Sequence, residues 1–308
     1  MNATPDLFEA VIELPDAAAS TRYASLVGLD ETKERLSKEA QLLLNPASLE
    51  QWSQRFHRTR LVACDAFSDR HPVFIFAGDV GTGKTALAES FGDQVARSIG
   101  LPIYLYRLSL ASRGSGAVGE MTQLLAAAFD EVRRVAATPR ERDGKYSSAV
   151  ILLIDEADAL AQSREASQMH HEDRAGVNAL IRGINSLSEQ HLPAIVVLAT
   201  NRLQAIDPAV RRRAAATFQF ERPNDIQREV ALANLLEGVG LQGDKLRALV
   251  KATGPLDGRI YGYTYSDLYQ RLVPAAVLAA YPDRRLDGDL LLHVAGSLEP
   301  TPPFTAED

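Results

Sequence analysis

Cysteine is nearly missing from this chain: Cys64 is the only one in 308 residues, so no internal disulfide can form. That usage suits a reducing compartment, and a lone thiol is expected to serve as a small packing residue. No run of about 18 apolar residues occurs, which excludes a membrane-spanning helix. The first residues, Met-Asn-Ala-Thr-Pro-Asp-Leu-Phe-Glu, carry acids where a secretory signal needs bases. Lysine and arginine never cluster beyond Arg211-Arg212-Arg213, and the net charge is −7, so the basic stripe of a nucleic-acid binder is lacking. These absences predict a cytoplasmic protein with no membrane contact and argue against a large nucleic-acid footprint, leaving room only for a local basic channel in an oligomer. What is present, 46% hydrophobic and 24% charged residues, is enough for a substantial core. At roughly 100–200 residues per domain, the length fits one large domain and a smaller one.

Unbroken apolar runs alternate with helical patterns through the first two thirds of the chain. Val73–Ala77, Pro102–Leu108, Val150–Ile154 and Ala194–Ala199 read as strands. Helices are predicted over 30–44, 47–63, 85–99, 120–137 and 173–188. Such alternation indicates a parallel sheet covered by helices on both faces, an α/β fold. After Pro223 only helical patterns remain, over 224–238, 243–252, 266–280 and 286–295. The expected organisation is an N-terminal arm at 1–22, a large α/β unit at 23–222, an all-helical unit at 223–296 and a disordered tail at 297–308.

Residues 78 to 85 read Gly-Asp-Val-Gly-Thr-Gly-Lys-Thr, directly after the apolar run at 73–77. This is a phosphate-binding loop between a buried strand and a helix. Gly78, Gly81 and Gly83 let the backbone turn N–H groups inward, and Asp79, Val80, Thr82 and Ala86 complete the cradle. Lys84 is placed for the β and γ phosphates, and Thr85 for Mg²⁺. The following helix directs its positive end at the anion.

The run Val150–Ile154 ends in Asp155-Glu156, delivering two carboxylates to the sheet edge where ligands bind in open α/β folds. Asp155 suits the Mg²⁺ shell, and Glu156 the polarisation of an attacking water. The third apolar run ends Ala199-Thr200-Asn201, which places an amide beside the same chemistry.

This ordered set resembles the AAA+ ATPases over about residues 23 to 290. The resemblance implies an AAA+ P-loop domain followed by a small helical lid, with ATP and Mg²⁺ bound. By the same resemblance, Leu26–Asp30 is the linker that contacts adenine, chiefly through Val27 and Gly28. Asn201 is the first sensor, and Ala205–Arg213 presents an arginine finger to a neighbouring subunit, with Arg213 the best match by spacing and Arg212 next. Pro223 and Arg228 mark the entry to the lid. A cation supplied in trans implies a homo-hexamer, because hydrolysis is completed only at the subunit boundary. Two departures stand out. Ala117, in Gly116-Ala117-Val118-Gly119-Glu120, occupies the place of the usual pore-loop aromatic, and no arginine opens the lid helix after Gly262.

Leu160–Ser167 with Asp173–Ile181 is similar to the HORMA-domain remodelling branch of that family, the Pch-type proteins and their bacterial relatives. The Arg213-Ala214 pair fits the same branch. This implies a hexamer that opens a HORMA-domain protein and disassembles its complexes. The short segment before residue 23 is expected of a bacterial member, where the HORMA partner accompanies a nucleotidyltransferase in antiphage signalling. Substrate contact would fall to pore loops around Ala117, Val118 and Gly119 and around Met169 and His170, the paired His170 and His171 being read as solvated loop residues. Two alternatives are another AAA+ enzyme, such as a DNA-transaction ATPase, and a nucleotide-gated scaffold with little hydrolysis.

Overall fold

The structure, a computed structural model, describes residues 7–110, 119–139, 146–162 and 170–304. Among these the chain begins with β1 (Ala10–Leu14), α1 (Ala17–Ser25), α2 (Asp30–Leu44), α3 (Ala47–His57), α4 (Val62–Ser68) and β2 (Val73–Gly78). It continues through α5 (Lys84–Ile99), β3 (Ile103–Ser109), α6 (Glu120–Ala136), β4 (Ala149–Asp155), α7 (Ala159–Gln162) and α8 (His170–Glu189). Then come β5 (Ala194–Thr200), α9 (Pro208–Arg211), β6 (Ala216–Phe220), α10 (Asp225–Leu235) and α11 (Asp244–Ala252). A π-helical turn (Asp267–Leu272), α12 (Val273–Ala280) and α13 (Gly288–Ser297) complete it.

The chain divides into two compact units. The first comprises the described residues up to Ser25 with Asp30–Ala77 and Thr85–Gln219; the second comprises Leu26–Leu29, Gly78–Lys84 and the described residues from Phe220 on. Along the chain the second unit resumes at Phe220. The phosphate loop and the linker residues, however, cluster with the helical C-terminal segment.

The first unit is organised by a six-stranded sheet in the order β1-β3-β4-β5-β2-β6. The pairs β3/β4, β4/β5 and β2/β5 are parallel, so the expected α/β architecture is present, but β1 runs antiparallel to β3 and makes the sheet mixed. Val150, Leu152 and Ile154 join one core with Leu125, Phe129 and Val132 of α6 and Leu180 and Ile184 of α8. On the opposite face Phe76 meets Phe91 of α5 at 6.3 Å. A Cβ on Gly92 of α5 would lie 2.7 Å from Leu14 and 2.8 Å from Ile151, so the helix sits tightly on the strands. Burial on both faces explains why these strands are unbroken apolar runs.

Several expectations need correction here. Residues 1–22 are not an arm from Phe8 onward. Phe8 packs edge-on to Tyr106 at 4.7 Å, and β1 adds a strand to the sheet with Leu14 fully buried. The Asp16 carboxylate then accepts from Ala19 N–H at 2.9 Å and starts α1. The single helix expected at 47–63 is two, because Arg58 adopts a left-handed conformation (φ 55°) and ends α3. α8 begins at His170, so His170 and His171 belong to its first turn rather than to a loop.

The second unit has its own core, in which Leu232, Leu249, Leu268, Leu272 and Leu291 surround Tyr263. α10 begins with a capping box between Asn224 and Gln227. Arg228 is buried inside this unit, donating to the Pro223 carbonyl at 2.6 Å and pairing with Asp225; burial holds its pKa below the ordinary arginine value. The expected disordered tail is corrected as well: among the described residues, Thr301 and Phe304 make hydrogen bonds within this unit.

Candidate nucleotide site

In the second unit the loop Gly78–Lys84 turns on glycines. Gly81 has φ 71°, and a Cβ there would lie 2.7 Å from Thr264 Oγ1, so both conformation and space require glycine. Lys84 is buried, and its ammonium donates to the Gly78 carbonyl at 2.9 Å and the Asp79 carbonyl at 2.7 Å. Thr82 Oγ1 donates to the Asp79 carbonyl at 2.7 Å. Leu26 and Leu29 approach the loop at Gly83, where a Cβ would lie 4.0 Å and 3.8 Å from them. Gln227 of α10 donates to the Gly28 carbonyl at 2.9 Å. The linker residues Val27 and Gly28 thus share a unit with the phosphate loop.

In the first unit Thr85 follows as the second residue of α5. Its hydroxyl donates to Asp155 at 3.1 Å, the last residue of β4. A hydroxyl and a carboxylate are the hard oxygen donors that Mg²⁺ takes from a protein, with waters and phosphates supplying the rest. Among the described residues no cluster of three or more His, Cys, Asp or Glu forms a protein-only metal cage. The donor set therefore fits Mg²⁺ held jointly with a phosphate-bearing ligand.

Glu156 adopts a left-handed backbone (φ 54°), a conformation that costs a non-glycine residue roughly 1–2 kcal/mol. The turn is held by Ala157 N–H to the Ala199 carbonyl and Ala159 N–H to the Glu156 carbonyl, each 2.9 Å. The outcome is that Asp155 and Glu156, neighbours in sequence, present their carboxylates separately. Ser109, opposite Asp155 in the β3/β4 register, donates to Glu156 Oε2 at 3.1 Å. Arg107, two residues earlier, pairs with Glu89 at 2.5 Å and Glu9 at 3.1 Å and approaches Asp155 at 3.8 Å.

Sequence reasoning missed both Ser109 and Arg107. The available signal was a polar residue ending the apolar run 103–108, the same signal that marked Asp155 and Asn201. Asn201 is half-buried just after β5. Next to it, Thr200 Oγ1 donates to the buried Asp158 at 3.0 Å and accepts from Arg202 N–H.

Of the finger candidates, Arg211 and Arg212 are exposed on the surface of the first unit. Arg213 is held in place: Nε donates to Asn185 of α8 at 3.1 Å and Nη1 to the Ala209 carbonyl at 2.8 Å. For the pore loops, Ala117, Val118 and Met169 lie outside the described residues, as do Ser163–Ser167. Gly119 (φ 82°) precedes α6, and His170 opens α8.

Residues 74–222, from β2 through β6, match the family model "ATPase family associated with various cellular activities (AAA)". The chain is 52% identical to CD-NTase-associated protein 6 of Escherichia coli (strain MS 115-1) over 307 residues, covering 99% of each protein. The chain belongs to that AAA ATPase family. Two solved structures are also similar to this chain. A chain of an E. coli MS115-1 HORMA:CdnC:Trip13 complex superposes with a TM-score of 0.89 at 50% identity, covering 98% of this chain and 100% of that one. A Rhizobiales Trip13 structure gives a TM-score of 0.72 at 43% identity, covering 96% and 100%. For this AAA ATPase no described helix is long and apolar enough to cross a membrane.

Proposed function

We propose that this AAA ATPase hydrolyses ATP to open a HORMA-domain protein and so dismantles a complex containing a nucleotidyltransferase, switching off an antiphage signal in the cytoplasm. One observation carries the reading: the full-length likeness, at 50% identity and a TM-score of 0.89, to a chain solved in a complex with HORMA and CdnC. A likeness that spans 98% of the chain covers the lid and the N-terminal strand as well as the catalytic motifs.

The residues divide the chemistry. Gly78–Thr85 and Ala86 cradle the phosphates of ATP through backbone N–H groups, with Lys84 exchanging its loop carbonyls for phosphate oxygens. Val27 and Gly28 meet the base. Thr85 and Asp155 hold Mg²⁺, which when bound neutralises charge on the β and γ phosphates. Glu156, oriented by Ser109, takes the proton of the attacking water, and Asn201 positions that water. Arg213, with Arg212 as the second candidate, reaches the site of the next subunit in a hexamer and stabilises charge developing on the γ phosphate. Pore loops including Ala117, Val118, Gly119, Met169 and His170 engage the substrate polypeptide.

The test is steady-state ATPase activity with and without a HORMA-domain protein of the bacterial type, beside a pull-down with Glu156→Gln and ATP. Stimulation by the HORMA protein and its capture by the variant are expected. Turnover that HORMA addition leaves unchanged, with no capture, overturns the remodelling reading. Turnover that DNA raises instead points to a DNA-transaction enzyme.

A further inference from the structure

The segment Glu299-Pro-Thr-Pro-Pro-Phe304 looks by composition like a loose end, yet it is tied down at two points of the second unit. At the first, Thr301 gives its N–H (3.1 Å) and hydroxyl (2.7 Å) to Asp267, a fully buried carboxylate. Asp267 also accepts from Thr264 N–H and hydroxyl, both at 3.0 Å, and from Arg271 at 2.7 Å. The same stretch touches the phosphate loop, because Ser266 N–H donates to the Gly81 carbonyl at 3.1 Å. At the second point, Phe304 N–H donates to Asp79 Oδ1 at 3.1 Å. Asp79 lies inside the phosphate loop. Between the two ties stand Pro302 and Pro303, which fix φ and stiffen the backbone. At about 3.1 Å per residue an extended proline segment spans about 9 Å between residues 301 and 304, so the two ties are joined by a strut rather than a slack tether.

Asp79 places a carboxylate inside the phosphate loop. A carboxylate beside bound phosphates is repelled by them unless its charge is compensated. Compensation comes from Arg222, whose Nε donates to Asp79 Oδ2 at 2.6 Å while Nη1 donates to the Gly262 carbonyl at 2.7 Å. The pair is shielded from water, with side-chain exposures of 13% and 18%. Asp79 Oδ1 also accepts from Val80 N–H at 2.8 Å, so its rotamer bears directly on the loop backbone. Arg222, the Phe304 N–H and the Val80 N–H thus fix both oxygens of one carboxylate.

We propose that Arg222 and the Thr301–Phe304 strap are positioning groups for the phosphate loop, acting through the Asp79 carboxylate to set affinity for nucleoside triphosphate. This deepens, and rests on, the assignment of Gly78–Thr85 as the ATP site. A purely structural brace would alter the stability of the unit and leave nucleotide affinity alone.

The test measures the Kd of a fluorescent ATP analogue, with Mg²⁺, on the full chain. Phe304→Pro removes the backbone donor, whereas Phe304→Ala keeps it and loses only the ring. Phe304→Pro is expected to weaken binding about tenfold, and Phe304→Ala much less, since a hydrogen bond to a charged group is at stake. Arg222→Met should weaken binding by tenfold or more, and adding Asp79→Asn should recover most of the loss by removing the uncompensated charge. Equal Kd for the two Phe304 variants, or no recovery in the double variant, overturns the proposal. If Arg222→Met does not fold, the Phe304 pair decides. Wild-type binding that Lys84→Ala abolishes upholds the ATP site independently of the strap, and a wild type that binds no analogue overturns both.

Discussion

Replacing Tyr263 with phenylalanine removes one oxygen from the centre of the second unit. The ring is fully buried, and the hydroxyl donates to the Ala295 carbonyl at 2.9 Å and the Leu298 carbonyl at 2.6 Å. The two carbonyls share one hydroxyl hydrogen, so its removal forfeits a single three-centred bond, roughly 0.5–1.5 kcal/mol net at neutral pH. The hydroxyl also carries a pH signature. Burial, opposed in part by Arg259, pushes its pKa from the ordinary 10 up to about 12. A raised folded-state pKa means that the stabilisation is complete below pH 10 and is lost as pH rises through about 12, since the unfolded tyrosine ionises first. The loss runs at about 1.4 kcal/mol per pH unit in that window, or 2–3 kcal/mol in all by order of magnitude. Phenylalanine has no such limb. Urea unfolding followed by circular dichroism at pH 8, 10 and 11 should therefore show a wild-type advantage that shrinks only above pH 10. An advantage that is absent at pH 8, or constant from pH 8 to 11, refutes the argument.

Further outcomes are expected in the first unit. Ser109→Ala should lower ATP turnover about tenfold while nucleotide Kd changes less than twofold, because the Ser109 hydroxyl donates to Glu156. Equal losses in both would show a general disruption. Gly183→Ala should destabilise by roughly 1–3 kcal/mol despite the helix-propensity gain, since the new Cβ would lie 2.3 Å from the Phe129 ring; a rise in melting temperature contradicts this packing. Arg213→Ala should abolish turnover with nucleotide still bound, and Arg212→Ala should lose less, because only Arg213 is pre-oriented by Asn185 and the Ala209 carbonyl. Mixed assemblies with Glu156→Gln subunits would show whether the arginine acts in trans.

Much of this was legible without coordinates, for local reasons. The loop at 78–85, the carboxylates at 155–156 and the lid helices follow from motifs whose residues are contiguous or periodic, so chain order alone carries them. The alternation of apolar runs and helices sufficed for the α/β class, because strands buried on both faces must be apolar throughout. β1 and β6 were missed because each is five residues long with partly exposed alternate positions, a pattern too short to stand out.

Other features depend on residues far apart in sequence, and only the tertiary structure could join them. Ser109 meets Glu156 through strand register, and Arg213, two residues past α9, meets Asn185 of α8. Thr301 and Phe304 find Asp267 and Asp79, turning a proline-rich end into a strut. By itself the sequence determined a phosphate-loop motif and with it the expectation of nucleotide binding, since such a loop is a local arrangement of backbone N–H groups. What holds that loop in shape was decided by folding, because compensating a carboxylate takes a cation and a donor that lie 143 and 225 residues away along the chain.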